Sequence, residues 1–217
     1  MKEDVEISLD QIHLQGILNI PEMALGLVIF AHGSGSSRLS PRNQFVASFL
    51  NRHNIATLLV DLLSMEEEAI DSQTGELRFD IELLASRLTQ ITNWASRKTE
   101  LSVGYFGAST GAAAALIAAA ANKDKKIAAV VSRGGRPDLA KSILAEVSSP
   151  TLLIVGGNDR EVIQLNQEAY GVLHCPKKLE IVSGATHLFE EPGCLETVAK
   201  LSCDWFLTQF ISKNSSF

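Results

Sequence analysis

Residues 101–116 read Leu101-Ser102-Val103-Gly104-Tyr105-Phe106-Gly107-Ala108-Ser109-Thr110-Gly111-Ala112-Ala113-Ala114-Ala115-Leu116. An apolar, strand-forming run ends at Gly107, a serine stands at 109, and an alanine-rich helical segment starts at once. Gly107-Ala108-Ser109-Thr110-Gly111 matches G-x-S-x-G, the pattern of a sharp strand-to-helix turn that pushes a serine oxygen out at the carboxyl end of a strand. Side chains at the two glycine positions would collide with neighbouring backbone, and the first amides of the following helix point at whatever the serine attacks. The pattern alone is common enough to arise by chance, so the strand before it and the helix after it carry the argument. They make Ser109 a candidate nucleophile.

Working outward, the chain alternates strand and helix patterns. Residues 5–9 and 12–20 alternate in polarity around an Asp10-Gln11 turn and predict an antiparallel hairpin. Residues 24–31 are continuously apolar, as in a strand buried on both faces, and run into the small-residue loop His32-Gly33-Ser34-Gly35-Ser36-Ser37. Ser40-Pro41 predicts a helix start, with serine as N-cap and proline at the first helical position. A second buried strand over 55–60 is closed by Asp61. Residues 62–79 show no period, include Glu66-Glu67-Glu68, and are expected to form an irregular, solvated connection. Asp80 caps a long helix carrying Ile81, Leu84, Leu88, Ile91 and Ala95 on one face. After the 101–121 unit come strands over 127–132, 151–155 and 179–182, helices over 137–147 and 160–173, and a last helix opened by Glu191-Pro192. The tail 213–217 is expected to fray. This order implies one α/β domain over 1–217, a mostly parallel sheet with helices on both faces. Only residues 134–150 separate two consecutive strands late in the chain, room for one helix and no lid domain.

Composition narrows the class of function. At 217 residues the chain can bury one substantial core, and its 46% hydrophobic and 20% charged content is ordinary for a globular protein. A net charge of −6 without a basic block argues against nucleic acid as a partner. The apolar run over 112–121 is about half a bilayer span, so no membrane crossing is expected, and the charged N-terminus lacks a signal-peptide core. Cys175, Cys194 and Cys203 are odd in number and lack C-x-x-C spacing, which reads as reduced thiols in a cytoplasmic protein.

In an open parallel sheet, functional groups collect where strands end. Five strands here end in His32-Gly33-Ser34, Ser109, Arg133, Asp159 and His187. An attacking serine needs a base that titrates near neutrality, and the base needs a carboxylate to hold its tautomer. His187 lies in a glycine-led loop after the last strand, whereas His13, His53 and His174 lie on a hairpin and at helix ends. Asp159 follows the strand over 151–155; its competing role is to cap the next helix. Ser109, Asp159 and His187 are therefore the predicted catalytic set, with His32 left to organise its loop. The predicted oxyanion donors are the Thr110 amide and the Ser34 amide. A phosphate cradle at 33–38 fails because Arg38 stands where G-x-G-x-x-G needs its last glycine.

His32-Gly33-Ser34-Gly35, the 107–111 elbow, Gly157-Asn158-Asp159 and Gly184-Ala185-Thr186-His187 together resemble the α/β-hydrolase superfamily, and within it the small, lidless dienelactone-hydrolase-like group. The resemblance implies an eight-stranded sheet with only its second strand antiparallel, and hydrolysis through an acyl-serine. Dienelactone hydrolases use a cysteine nucleophile; this chain has Ser109, which points to a serine esterase. The expected substrate is a small soluble ester or lactone, with no metal or organic cofactor required. A peptidase or amidase would use the same residues, and a non-catalytic ligand- or partner-binding protein is the second class. Arg133, Arg38 and Arg42 lie near the site edge and could pair with a substrate carboxylate or phosphate. Alternatively they pair with the Glu66–Glu68 run.

Overall fold

In the computed structural model, residues 1–9, 12–122 and 127–214 are described. The Asp10-Gln11 turn and residues 215–217 of the tail lie outside them. Eight strands form one sheet: β1 (Lys2–Leu9), β2 (Ile12–Asn19), β3 (Leu27–Ala31), β4 (Ala56–Val60), β5 (Val103–Ala108), β6 (Val130–Arg133), β7 (Thr151–Gly156) and β8 (Lys177–Val182). Their order is β1-β2-β4-β3-β5-β6-β7-β8. β2 runs antiparallel to both of its neighbours, and every other pair is parallel. The inner strands β3, β4, β5, β6 and β7 are buried at every residue, because helices cover both faces there. β1 and β2 alternate, since only one of their faces packs on the core.

Helices α1 (Pro41–Arg52) and α6 (Cys194–Asn214) pack on one face, around Phe30, Phe106, Phe206 and Phe210. Helices α3 (Ile81–Lys98), α4 (Thr110–Ala121) and α5 (Arg160–Val172) contribute to the opposite core. α4 is buried from Thr110 to Ala120; its alanines bring it close to the sheet and to α3. α1 and α3 start where their caps require, with Ser40 accepting from the Asn43 amide and Asp80 from the Leu83 amide. Among the described residues no helix is long and apolar enough to cross a membrane.

Two expectations are corrected. Residues 62–79 are not irregular: they contain α2 (Met65–Thr74) and a short 3-10 turn (Leu77–Phe79). α2 buries only Asp71, so it has no apolar stripe to read. Polar contacts form it instead. Ser64 and Glu67 make a capping box, three glutamates occupy the positive end of the helix, and Gly75 closes it at a φ of 69°. Glu67 is gripped by both terminal nitrogens of Arg87 on α3, and Asp71 accepts from the amide and side chain of Arg78. The Glu66–Glu68 run is thus in part a structural clasp. The second correction is the 137–147 segment, which is two 3-10 turns over Pro137–Glu146 broken at Lys141, where φ is 51°.

Candidate active site

β5 delivers Ser109 at a φ of 51° and a ψ of −121°, a backbone conformation that L-residues rarely take. The flanking glycines make this possible. A Cβ on Gly107 would lie 2.4 Å from Cα of Ala112, and one on Gly111 would lie 2.2 Å from the carbonyl oxygen of Ala31. The turn is tied to β6: the Ser109 amide donates to the Arg133 carbonyl at 3.2 Å, and the Ser109 carbonyl accepts from the Arg136 amide at 3.1 Å.

The loop after β3 presses on the same point. A Cβ on Gly33 would sit 3.0 Å from Cβ of Ser109. Nε2 of His32 accepts from the Leu62 amide at 3.1 Å, so its proton is on Nδ1, which donates to the Gly33 carbonyl at 3.0 Å. His32 therefore joins the loop to the segment after β4. The Ser34 amide donates to Oγ1 of Thr110 at 3.0 Å.

From the far side of the sheet, Oδ2 of Asp159 meets Nδ1 of His187 at 2.6 Å, with the two side chains 16% and 38% exposed. Asp159 occupies the N-cap of α5 yet its carboxylate makes no capping bond, so its side chain serves the histidine and not the helix. The loop holding His187 is fixed at several points. Asn158 donates to the Gly184 carbonyl at 2.8 Å, and the Thr186 amide donates to Glu191 at 3.1 Å. The Thr186 side chain, with the Glu191 and Thr186 amides, holds the Glu191 carboxyl below its usual range. Phe189 anchors the loop by burying its ring at a φ of 58°. The His187 ring lies 3.5 Å from where a Cβ on Gly134 would be, directly after Arg133, whose carbonyl holds the Ser109 amide. Ser109 and His187 thus converge around Gly134, although no hydrogen bond joins their side chains among the described residues.

The arginines are engaged elsewhere than on Glu66 or Glu68. Arg38 pairs with Asp61, Arg42 with Glu190 at 3.0 Å, and Arg136 with Asp138 at 2.8 Å. Among the described residues Arg133 has no carboxylate partner. It is 5% exposed, donates to Oδ1 of Asn43 at 3.2 Å, and lies 6.0 Å from the ring centre of Phe189. Burial, with Arg42 nearby, pushes its pKa down to about 10. Sequence reading missed Gly134, Asn43, Glu191 and the Thr110 hydroxyl, because each acts through a contact distant in the chain.

Beside the β3 loop lies a cavity of about 310 Å³, whose walls include His13, His32, Ser37, Arg38, Met65 and Glu68. A smaller crevice shares His32, Ser36, Leu63 and Glu68 with it and continues to Gly33 and Ser34.

A strained serine turn at the end of a central parallel strand, with an acid and a histidine on the loops after β7 and β8, sits in the architecture of the α/β-hydrolase fold. Solved structures agree. Dienelactone hydrolase from Anabaena variabilis is 54% identical to this chain, covers 96% of it and 98% of its own length, and superposes with a TM-score of 0.94. This chain belongs to the dienelactone hydrolase family. Est1E from Butyrivibrio proteoclasticus shares the fold at 18% identity, with a TM-score of 0.79 over 96% of this chain and 99% of that one. A Mycobacterium tuberculosis protein, named provisionally as a phosphoribosyl transferase, is 54% identical over 208 residues. That match covers 94% of this chain and 46% of the relative, so the chain spans about half the length of the curated relatives it matches. A scan against protein-family models found no match.

Proposed function

We propose that this chain hydrolyses small soluble carboxylic esters or lactones through an acyl-serine intermediate, without metal or organic cofactor. The observation that supports this best is the 2.6 Å contact between Asp159 and His187 beside the strained Ser109 turn. With Nδ1–H held by Asp159, the lone pair of His187 is on Nε2. In this reading Nε2 takes the Ser109 proton as Oγ attacks the acyl carbon. The carbonyl oxygen becomes an oxyanion that accepts from the Thr110 amide and from the Ser34 amide, whose hydrogen turns to it from Oγ1 of Thr110. His187 then gives its proton to the departing alcohol oxygen. It next removes a proton from water, whose oxygen adds to the acyl carbon, and returns it to Ser109 as the acid leaves.

Because Arg38 and Arg42 already have carboxylate partners and Arg133 is buried on Asn43, no anion-binding role is assigned to them. The phosphoribosyl transferase name belongs to relatives about twice this long and is not carried over. A cytoplasmic setting fits the free, buried thiols of Cys175, Cys194 and Cys203.

The test is intact mass after incubation with a fluorophosphonate, wild type beside Ser109→Ala. One adduct on the wild type and none on the variant is the expected result. No adduct on folded wild type would move the non-catalytic ligand-binding reading ahead. Rates on matched ester and amide substrates then separate esterase from amidase.

A further inference from the structure

We infer that the cavity between the β3 loop and α2 is the acyl subsite, and that it takes an uncharged, hydroxyl-bearing acyl group. This rests on the ester-hydrolase reading above and deepens it.

Sheet order decides which part of the substrate lies there. Ser109 ends β5, and His187 approaches over β6, next to Gly134. The cavity lies on the opposite side, at the ends of β2 and β4, where His13, Gln15 and Asp61 line it. A leaving alcohol must stay beside Nε2 of His187 to receive its proton. The acyl chain therefore extends the other way, past Gly33 and along the crevice that joins the cavity.

The lining then decides the chemistry. Arg38, the cation in its wall, is neutralised by Asp61, which also accepts from the Arg38 amide at 2.6 Å. The exposed Glu68 lines both the cavity and the crevice, and among the described residues its carboxylate has no ion-pair or hydrogen-bond partner. An acyl group bearing a carboxylate or phosphate would meet that charge, while the cation of the crevice, Arg78, is already paired with the buried Asp71. Hydroxyl groups, in contrast, find an acceptor in Glu68 and further partners in Ser36, Ser37 and Gln15. Leu63, Met65 and the two imidazoles supply carbon surface for the C–H faces of such a group. The volume of about 310 Å³ is within the range of small-molecule sites.

The experiment separates binding from turnover. Affinities of 3,4-dihydroxybutyramide, butyramide and succinamate for Ser109→Ala are measured by NMR titration. The dihydroxy amide should bind about tenfold more tightly than butyramide, and succinamate most weakly. In Ser109→Ala/Glu68→Ala the first two should come within about twofold of each other. Equal binding by Ser109→Ala, or a preference that survives loss of Glu68, overturns the inference. Fluorophosphonate labelling of the wild type reports on the hydrolase reading independently.

Discussion

The amide of Ser34 donates to the side-chain hydroxyl of Thr110 at 3.0 Å, tying together the two residues whose amides are assigned to the oxyanion. The bond fixes the β3 loop to the first turn of α4. Thr110→Val keeps the shape and removes the acceptor, so the loop loses its tether. The expected result is a fall in kcat of about tenfold with little change in KM, restored by Thr110→Ser, since a misplaced oxyanion donor acts in the transition state. A kcat above the wild-type value would mean that the hydroxyl competes with the oxyanion for Ser34.

Asp159→Asn tests the acid. Asparagine can occupy the same space, but its NH₂ would favour the histidine tautomer with the proton on Nε2, the nitrogen that must accept from serine. Loss of about 10³–10⁴ in kcat is expected with binding retained, following the behaviour of serine–histidine–aspartate sites. A fall of less than tenfold would show that Asp159 is not the orienting group.

How much of this was legible from residues alone follows from where each constraint lies. Ser109, Asp159 and His187 stand at strand ends beside glycines, in loops too short to hide a special role. The parallel sheet was legible because its inner strands bury both faces and read as unbroken apolar runs. α2 was not, since periodicity reports burial and α2 buries one aspartate. Its usable signal was the capping box Ser64-x-x-Glu67, which needs no apolar stripe. The Ser34–Thr110 bond spans 76 residues and has no local signature.

Strain at the nucleophile predicts a stability gain on its removal. Ser109 holds a φ of 51° and a ψ of −121°, which glycine adopts freely. Relief of roughly 1–3 kcal/mol of backbone strain is partly offset by the greater freedom of glycine in the unfolded chain. Ser109→Gly should raise Tm by about 2–4 °C, the shift that ~1 kcal/mol produces in a domain of this size. Ser109→Ala keeps Cβ and should melt within a degree or so of wild type. Equal melting of the glycine and alanine variants would exclude the strain.

The clasp on α2 carries a pH signature. Arg87 is 6% exposed and holds both carboxylate oxygens of Glu67, and its hydrogen bonds keep the Glu67 pKa below the ordinary 4.5. A carboxyl whose pKa is lower in the folded state adds stability above its unfolded value and loses it as pH falls through the folded one. Arg87→Met should therefore destabilise at pH 7 by about 2 kcal/mol, or roughly 4–8 °C in Tm, less than a fully buried pair because Glu67 is partly wet. The gap to wild type should close only well below pH 4.5. A gap independent of pH would assign the loss to packing alone.

Arg133 is buried as deeply as Arg87, at 5% against 6% exposure, but among the described residues it faces no carboxylate. Among the described residues its Nε has no partner, its side chain donates to Asn43, and Arg42 adds like charge nearby. Its pKa, pushed down to about 10, still leaves it charged at neutral pH, so the folded state carries a desolvated and uncompensated cation. Replacing such a charge with an apolar chain of similar length removes that penalty, while the lost bond to Asn43 costs about 1 kcal/mol. The two terms nearly cancel. Arg133→Met should thus melt within about 4 °C of wild type, in contrast to Arg87→Met, when both are compared by calorimetry at pH 7. A fall for Arg133→Met as large as that for Arg87→Met would mean that Arg133 is compensated in solution by an anion at this site.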